Sequence, residues 1–132
     1  MNKRWLIEPL DYASVARSRH EFSAWLSEHV SAANPLLEYE LVFGELLTNA
    51  VRYGARPVHA EIAVRTDELS ITVEDSGNCF DLNKISDAKP LAEGGRGLEI
   101  VKTLASRLSV ADGPDKVCTI VATMPILAPA LP

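Results

Sequence analysis

The chain has 132 residues, of which 47% are hydrophobic and 23% charged, with a formal net charge of −5. This composition predicts one ordinary globular domain over residues 1–132 and argues against a disordered or collagen-like chain. The acidic balance, the absence of Lys/Arg runs and the lack of any apolar run near the ~20 residues of a membrane helix predict a cytoplasmic protein that binds neither nucleic acid nor membranes.

The first elements along the chain are a short strand and two helices. The apolar run at residues 5–7 predicts an edge strand that is closed by Pro9. Apolar residues then recur at helical spacing from about residue 12 to 30, which predicts an amphipathic helix. A second helix is predicted from about residue 35 to 53, because proline suits a first helical turn and Gly54 suits a helix end.

The period changes in the second half of the chain. Residues 58–65 and 69–75 alternate like half-buried strands and predict a hairpin. The aperiodic stretch at 76–95 exceeds the usual connection length, which is typical of a functional lid or of a disordered loop. A third helix follows, and strands are predicted at about 108–110 and 117–124. The face of that helix is predicted to hold Leu98, Val101, Leu104, Ala105 and Leu108.

This order of elements predicts an α+β fold, a two-layer α/β sandwich in which three helices cover one face of a mixed or antiparallel sheet. We expect the core to span about residues 5–124. The tail at 125–132 holds three prolines and is expected to be extended and loosely held. Cys79 and Cys118 lack metal-ligand spacing, so we interpret them as reduced thiols that fill apolar space.

The second helix carries a narrow polar stripe between wide apolar flanks. Glu45 and Asn49 lie four residues apart on this stripe, so their side chains are about one turn apart. An amide oxygen can ligate Mg²⁺, and a carboxylate can accept a proton from a nucleophile. A polar face turned to solvent has the same pattern, so the stripe alone leaves both interpretations open.

Two further motifs are candidates for ligand contacts. Asp75-Ser76-Gly77 ends an apolar strand, where an aspartate can accept a hydrogen bond from an exocyclic amine and a glycine lets the backbone approach a flat ligand. The run at 94–98, Gly-Gly-Arg-Gly-Leu, immediately precedes the third helix and can wrap backbone N–H groups around an anion. A plain turn and a flexible linker are the structural alternatives.

In combination and order, these motifs resemble the GHKL ATPase superfamily, and more narrowly the stand-alone anti-sigma factor serine kinases of bacterial partner-switching pathways. The resemblance implies a Bergerat-type ATP-binding fold with ATP and Mg²⁺. It implies that Asn49 holds Mg²⁺, that Glu45 is the general base, and that Asp75 reads the adenine amino group with support from Thr119. The other nucleotide contacts that it implies are Gly77 on the adenine side and Gly94, Gly95, Arg96, Gly97 and Leu98 around the phosphates.

The function that the resemblance implies is a protein serine/threonine kinase. Its acceptor would be a STAS-type anti-anti-sigma protein, and it would bind that protein or a sigma factor. The alternative is a non-catalytic, ATP-responsive binding module of the same fold. A sensor histidine kinase would need a phospho-accepting histidine on a dimerisation hairpin, which His20 does not provide. The first helix, with Arg17, Arg19 and Trp25, could form a homodimer or partner surface. A packed helix with a solvent-exposed face explains the same residues equally well.

Overall fold

The structure is a computed structural model that describes residues 1–77, 95–113 and 117–128. These residues form three helices and five strands in the predicted order. The helices are α1 (Tyr12–His29), α2 (Leu36–Tyr53) and α3 (Gly95–Leu104). The strands are β1 (Asn2–Leu6), β2 (His59–Val64), β3 (Glu68–Asp75), β4 (Arg107–Asp112) and β5 (Cys118–Pro125).

The strands form one sheet in the order β1-β2-β3-β5-β4. Every strand pair among the described residues is antiparallel, so the α+β class is confirmed and the sheet is antiparallel and not mixed. The physical reason lies in the connections: β2–β3 and β4–β5 run back and forth as neighbouring pairs, and β5 lies beside β3. This pairing places the C-terminal end of β3 beside the beginning of β5.

The helices cover the face of the sheet on which the strand residues are buried. Both β2 and β3 alternate between half-buried and buried residues, as the hairpin prediction requires. Helix α2 packs against β3 and β5 and lies between α1 and α3. An aromatic cluster joins the layers: the ring centroids of Phe22 and Phe43 are 4.1 Å apart, and Trp5 is 5.3 Å from Phe43.

The helix ends follow from local chemistry. Asp11 caps α1 by accepting a hydrogen bond from the Ser14 backbone N–H at 2.8 Å, and this bond holds the pKa of Asp11 below its usual value. The N–H of Gly54 donates to the Ala50 carbonyl and ends α2 where the sequence predicts. Gly54 has φ −90° and ψ −177°, which is extended backbone that other residues also adopt. Backbone conformation therefore does not explain why residue 54 is a glycine.

Two expectations about the C-terminal part need correction. Helix α3 ends at Leu104, and Leu108 lies in β4, because the strand begins at Arg107. Residues 125–128 are not loosely held: Pro125 ends β5, and the Asn34 side chain accepts hydrogen bonds from the backbone N–H groups of residues 127 and 128 at 2.7 and 3.0 Å. Pro129 to Pro132 lie outside the described residues.

The interpretation of Cys118 as a reduced thiol is wrong, because this buried cysteine is disulfide-bonded in the structure. Disulfide formation depends on the separation of two cysteines in space, which their spacing along the chain does not report. Cys79 lies outside the described residues. Among the helices that the structure describes, none is long and apolar enough to cross a membrane.

Candidate functional site

Helix α2 presents Glu45 and Asn49 on its polar stripe, as the sequence predicts. Glu45 is half-buried, whereas Asn49 is buried, with 8% of its surface exposed. The Asn49 amide forms no hydrogen bond with any described residue. Since no fully enclosed side-chain nitrogen or oxygen of the described part lacks a partner, this amide must reach open space. A largely buried amide that has no hydrogen-bond partner among the described residues is suited to bind a ligand.

The N-terminal turn of α3 lies against Glu45. A Cβ atom placed on Gly97 would be 2.5 Å from Oε2 of Glu45, so a side chain at position 97 would force this flexible carboxylate to move. The start of α3 is therefore close to the Glu45 side chain. A helix N-terminus carries unpaired N–H groups and a partial positive charge, which makes it a binding site for phosphate groups.

Asp75 lies at the other end of the site, where β3 ends. Its side chain is 6% exposed, and Oδ1 accepts hydrogen bonds from the N–H groups of Gly77 at 2.6 Å and Ala55 at 3.4 Å. Oδ2 forms no hydrogen bond with a described residue and, by the same reasoning as for Asn49, is open to a ligand. A fixed carboxylate oxygen of this kind can accept a hydrogen bond from an exocyclic amine, as predicted.

The C-terminal end of α2 contacts this carboxylate. A Cβ on Gly54 would lie 2.9 Å from Cγ and 3.1 Å from Oδ1 of Asp75. Glu45 and Gly54 are separated along the helix by about 13.5 Å, from nine residues at 1.5 Å each. The C-terminal end of α2 thus contacts the Asp75 carboxylate, while Glu45 lies near the middle of the helix.

Thr119 does not lie directly across from Asp75, and its contact with the adenine base stays a prediction. In the β3–β5 register, Asp75 pairs with Cys118, and Thr119 pairs with Glu74. Neighbouring residues of a strand point to opposite faces of a sheet, so Thr119 lies on the face away from the helices. Cys118, which the sequence analysis did not place at the site, shares the helix-covered face with Asp75.

The glycine run is only partly within the described residues. Gly95 and Arg96 begin α3, while Gly94 and the side chain of Arg96 lie outside the described part. The Leu98 side chain is 7% exposed and belongs to the hydrophobic core, so its observed contacts are packing contacts. The lid predicted at 76–95 lies outside the described residues from position 78 to 94.

The site residues fit a magnesium ion that binds both the protein and phosphate oxygens. No cluster of three His, Cys, Asp or Glu side chains that could hold a metal occurs within residues 1–77, 95–113 and 117–128. A magnesium ion usually binds one or two protein oxygens and completes its shell with substrate phosphates and water. The unpaired amide of Asn49 suits that mode of binding, and it stands one helical turn from Glu45.

Sequence reasoning missed two contributors to this site. The Ala55 backbone N–H binds Asp75, and Gly54 packs against the same carboxylate. The available signal was the glycine at the end of the helix, which the sequence explains equally well as a helix terminator. Only the return of β3 to the end of α2 brings these residues together.

The chain matches a known protein family over most of its length. The family model described as histidine kinase-like ATPase domain matches residues 9–123. This range contains Glu45, Asn49 and Asp75 together with both glycine motifs. A search of curated protein sequences gave no significant match.

Several solved structures resemble the fold. The histidine kinase domain of the blue-light activated histidine kinase from Erythrobacter litoralis has 18% sequence identity and a TM-score of 0.52, over 86% of this chain and 60% of that one. The histidine kinase AdeS of Acinetobacter baumannii has 15% identity and a TM-score of 0.57, over 96% and 68%. The catalytic domain of histidine kinase ThkA, in a nucleotide-free form, has 12% identity and a TM-score of 0.54, over 96% of both chains. Such low identities show a shared fold, and the chain spans only 60% of the first of these structures.

Proposed function

The chain belongs to the histidine kinase-like ATPase domain family, and from this membership we propose that it binds ATP with Mg²⁺ and phosphorylates a serine or threonine of a partner protein. The acceptor in this proposal is a STAS-type anti-anti-sigma protein, and the chain binds that protein or a sigma factor in the cytoplasm. The observation that carries the proposal is the arrangement around α2. The Asp75 carboxylate lies at the C-terminal end of this helix, and the half-buried Glu45 and the buried Asn49 amide, which has no hydrogen-bond partner among the described residues, lie further back along it.

Each group has one task in this mechanism. Asp75 Oδ2 accepts the hydrogen bond of the adenine amino group, while the backbone amides of Gly77 and Ala55 hold Oδ1. The start of α3 binds phosphate oxygens through its unpaired N–H groups. The Asn49 amide oxygen would hold Mg²⁺, which supplies neutralisation of phosphate charge when it is bound.

Glu45 has the task of receiving the proton in phosphoryl transfer. The oxygen of the acceptor hydroxyl forms a bond to the γ-phosphorus, and the bond from that phosphorus to the β-phosphate oxygen breaks. The hydroxyl proton passes to the Glu45 carboxylate, and ADP leaves. Positioning and charge stabilisation supply most of the rate in reactions of this class, so a single well-placed carboxylate is a sufficient base.

The test is transfer of labelled γ-phosphate from ATP to a purified STAS-domain protein. Glu45→Ala should lower the rate by about 10²- to 10⁴-fold, the range expected for a general base, with ATP affinity largely kept. Asn49→Ala should lose both labelling and magnesium-dependent ATP binding. The matched control is Glu61→Ala, which should leave the rate unchanged, because the contact of this side chain among the described residues is a 3.9 Å ion pair with the exposed Arg4.

The outcomes separate the two functions that the sequence allows. If the wild-type chain binds the partner in an ATP-dependent way and never labels it, the protein is a non-catalytic binding module and the kinase proposal is wrong. If labelling persists in Glu45→Ala, this carboxylate is not the base. Dimerisation through α1 stays a prediction, which the molecular mass in solution can test.

A further inference from the structure

We propose that Gly54 is a positioning residue for nucleobase selectivity, because its missing side chain fixes the direction of the Asp75 carboxylate. The inference rests on the proposed ATP binding and assigns Gly54 a role that acts through Asp75. The sequence explains this glycine as a helix terminator. The structure gives it an ordinary extended conformation, so another cause is needed.

That cause is the space around Asp75. A Cβ on Gly54 would come within 2.9 Å of Cγ and 3.1 Å of Oδ1 of Asp75, and within 2.7 Å of the Ala50 carbonyl oxygen. The carboxylate and the helical carbonyl thus leave no room for a methyl group. Asp75 is a short side chain that two backbone N–H groups already hold, so it cannot move aside without losing those bonds.

Gly77 lies close to the same oxygen of the carboxylate. A Cβ on Gly77 would lie 2.8 Å from Oδ1 of Asp75 and 3.1 Å from the Cα of Gly54. The Ser76 N–H also donates to the Ala55 carbonyl at 2.9 Å, which ties the end of β3 to the end of α2. The two glycines therefore leave room for Oδ1 beside the backbone, while Oδ2 has no hydrogen-bond partner among the described residues.

This orientation determines which base is preferred. Adenine presents an exocyclic amine as a donor, whereas hypoxanthine presents a carbonyl oxygen as an acceptor at the same position. An oriented carboxylate oxygen attracts the former and repels the latter. If a side chain at position 54 tilts the carboxylate, the affinity for ATP should fall. The affinity for ITP should change little, because that oxygen does not stabilise bound ITP.

The experiment measures the dissociation constants of ATP and ITP, with Mg²⁺, for the full chain by calorimetry. Gly54→Ala should weaken ATP binding by about 10-fold or more, as expected for a lost hydrogen bond to a charged group, and bring the ATP/ITP preference close to one. The matched control is Gly44→Ala in the same helix. The three atoms nearest to a Cβ there belong to the exposed Arg19 side chain, with Nε at 2.8 Å. This side chain can move into solvent, so the preference should stay at its wild-type value.

A double-variant cycle separates positioning from general damage. In an Asp75→Ala background, Gly54→Ala should leave the ATP/ITP ratio unchanged, since the group through which it acts is gone. A folded Gly54→Ala protein that keeps the wild-type preference overturns the inference and leaves the proposed function intact. Wild-type protein that binds neither nucleotide overturns both.

A second variant covers failure of Gly54→Ala to fold, judged by loss of a cooperative thermal transition. Gly77→Ala crowds Oδ1 of the same carboxylate and the Cα of Gly54. Loss of the ATP preference in this variant supports the positioning of Asp75 by the glycines, and a wild-type preference overturns it.

Discussion

The sharpest consequence of the Asp75 geometry is a change of base preference in Asp75→Asn. In the wild-type chain, Oδ1 accepts from the N–H of Gly77 at 2.6 Å and from the N–H of Ala55 at 3.4 Å. Asparagine has one oxygen and one NH₂ group. Since two backbone donors surround the Oδ1 position, the amide oxygen should take that place. The NH₂ group then replaces the open oxygen and turns an acceptor into a donor.

The magnitude follows from the bond that is exchanged. A hydrogen bond to a charged group contributes about 1.5–3 kcal/mol, and each 1.36 kcal/mol is a factor of ten, so ATP should bind about 10- to 150-fold more weakly. The side chain of Asp75 is 6% exposed, which favours the upper part of this range because water replaces the lost bond poorly. The affinity for ITP should rise relative to the affinity for ATP, since the carbonyl oxygen of ITP can accept a hydrogen bond from the new NH₂ group.

Calorimetric titration of both nucleotides into wild-type and variant protein measures this exchange. Asp67→Asn is the control, because Asp67 is exposed in the β2–β3 turn, at the end of the hairpin away from Asp75. That variant should bind both nucleotides as the wild type does. An Asp75→Asn protein that is folded and still prefers ATP to ITP would falsify the assignment of Oδ2 as the base-reading atom.

Two further predictions concern stability. Asn34→Ala should lower the free energy of unfolding by about 1–3 kcal/mol in a urea titration, because it removes the acceptor for the N–H groups of Leu127 and Ala128; an unchanged midpoint would contradict this. Burial raises the pKa of Tyr39 to about 12 from 10.0, so the unfolded chain loses this proton first and stability should fall between about pH 10 and pH 12. Tyr39→Phe should flatten that part of the stability–pH profile, and an equally steep profile would refute the claim.

The elements of this fold were predictable because each depends on neighbours close in sequence. The order of helices and strands was confirmed, and so were the end of α2 at Gly54 and the alternation of β2 and β3. The polar stripe was predictable for the same reason: the helical repeat alone places Glu45 and Asn49 one turn apart. The motif order also pointed to the family that the comparison supports.

Other features depend on contacts between distant parts of the chain. The register of β5 against β3 decided that Cys118, and not Thr119, lies across from Asp75, because a shift of one residue exchanges the two faces of a strand. The Asn34 side chain accepts hydrogen bonds from the backbone N–H groups of residues 127 and 128, which are 93 and 94 positions away in the sequence. These bonds attach this part of the tail to the rest of the fold. No local pattern encodes either contact.

The set of elements and the chemical types of the site residues could therefore be predicted, since propensity and periodicity are local properties. Which atoms meet depends on tertiary packing. The end of β3 returns to the end of α2, and there Gly54, Ala55 and Gly77 turn a common Asp-Ser-Gly motif into an oriented carboxylate. Packing fixes that orientation because two backbone N–H groups bind one oxygen of the Asp75 carboxylate, and the two glycines leave the space that this oxygen occupies.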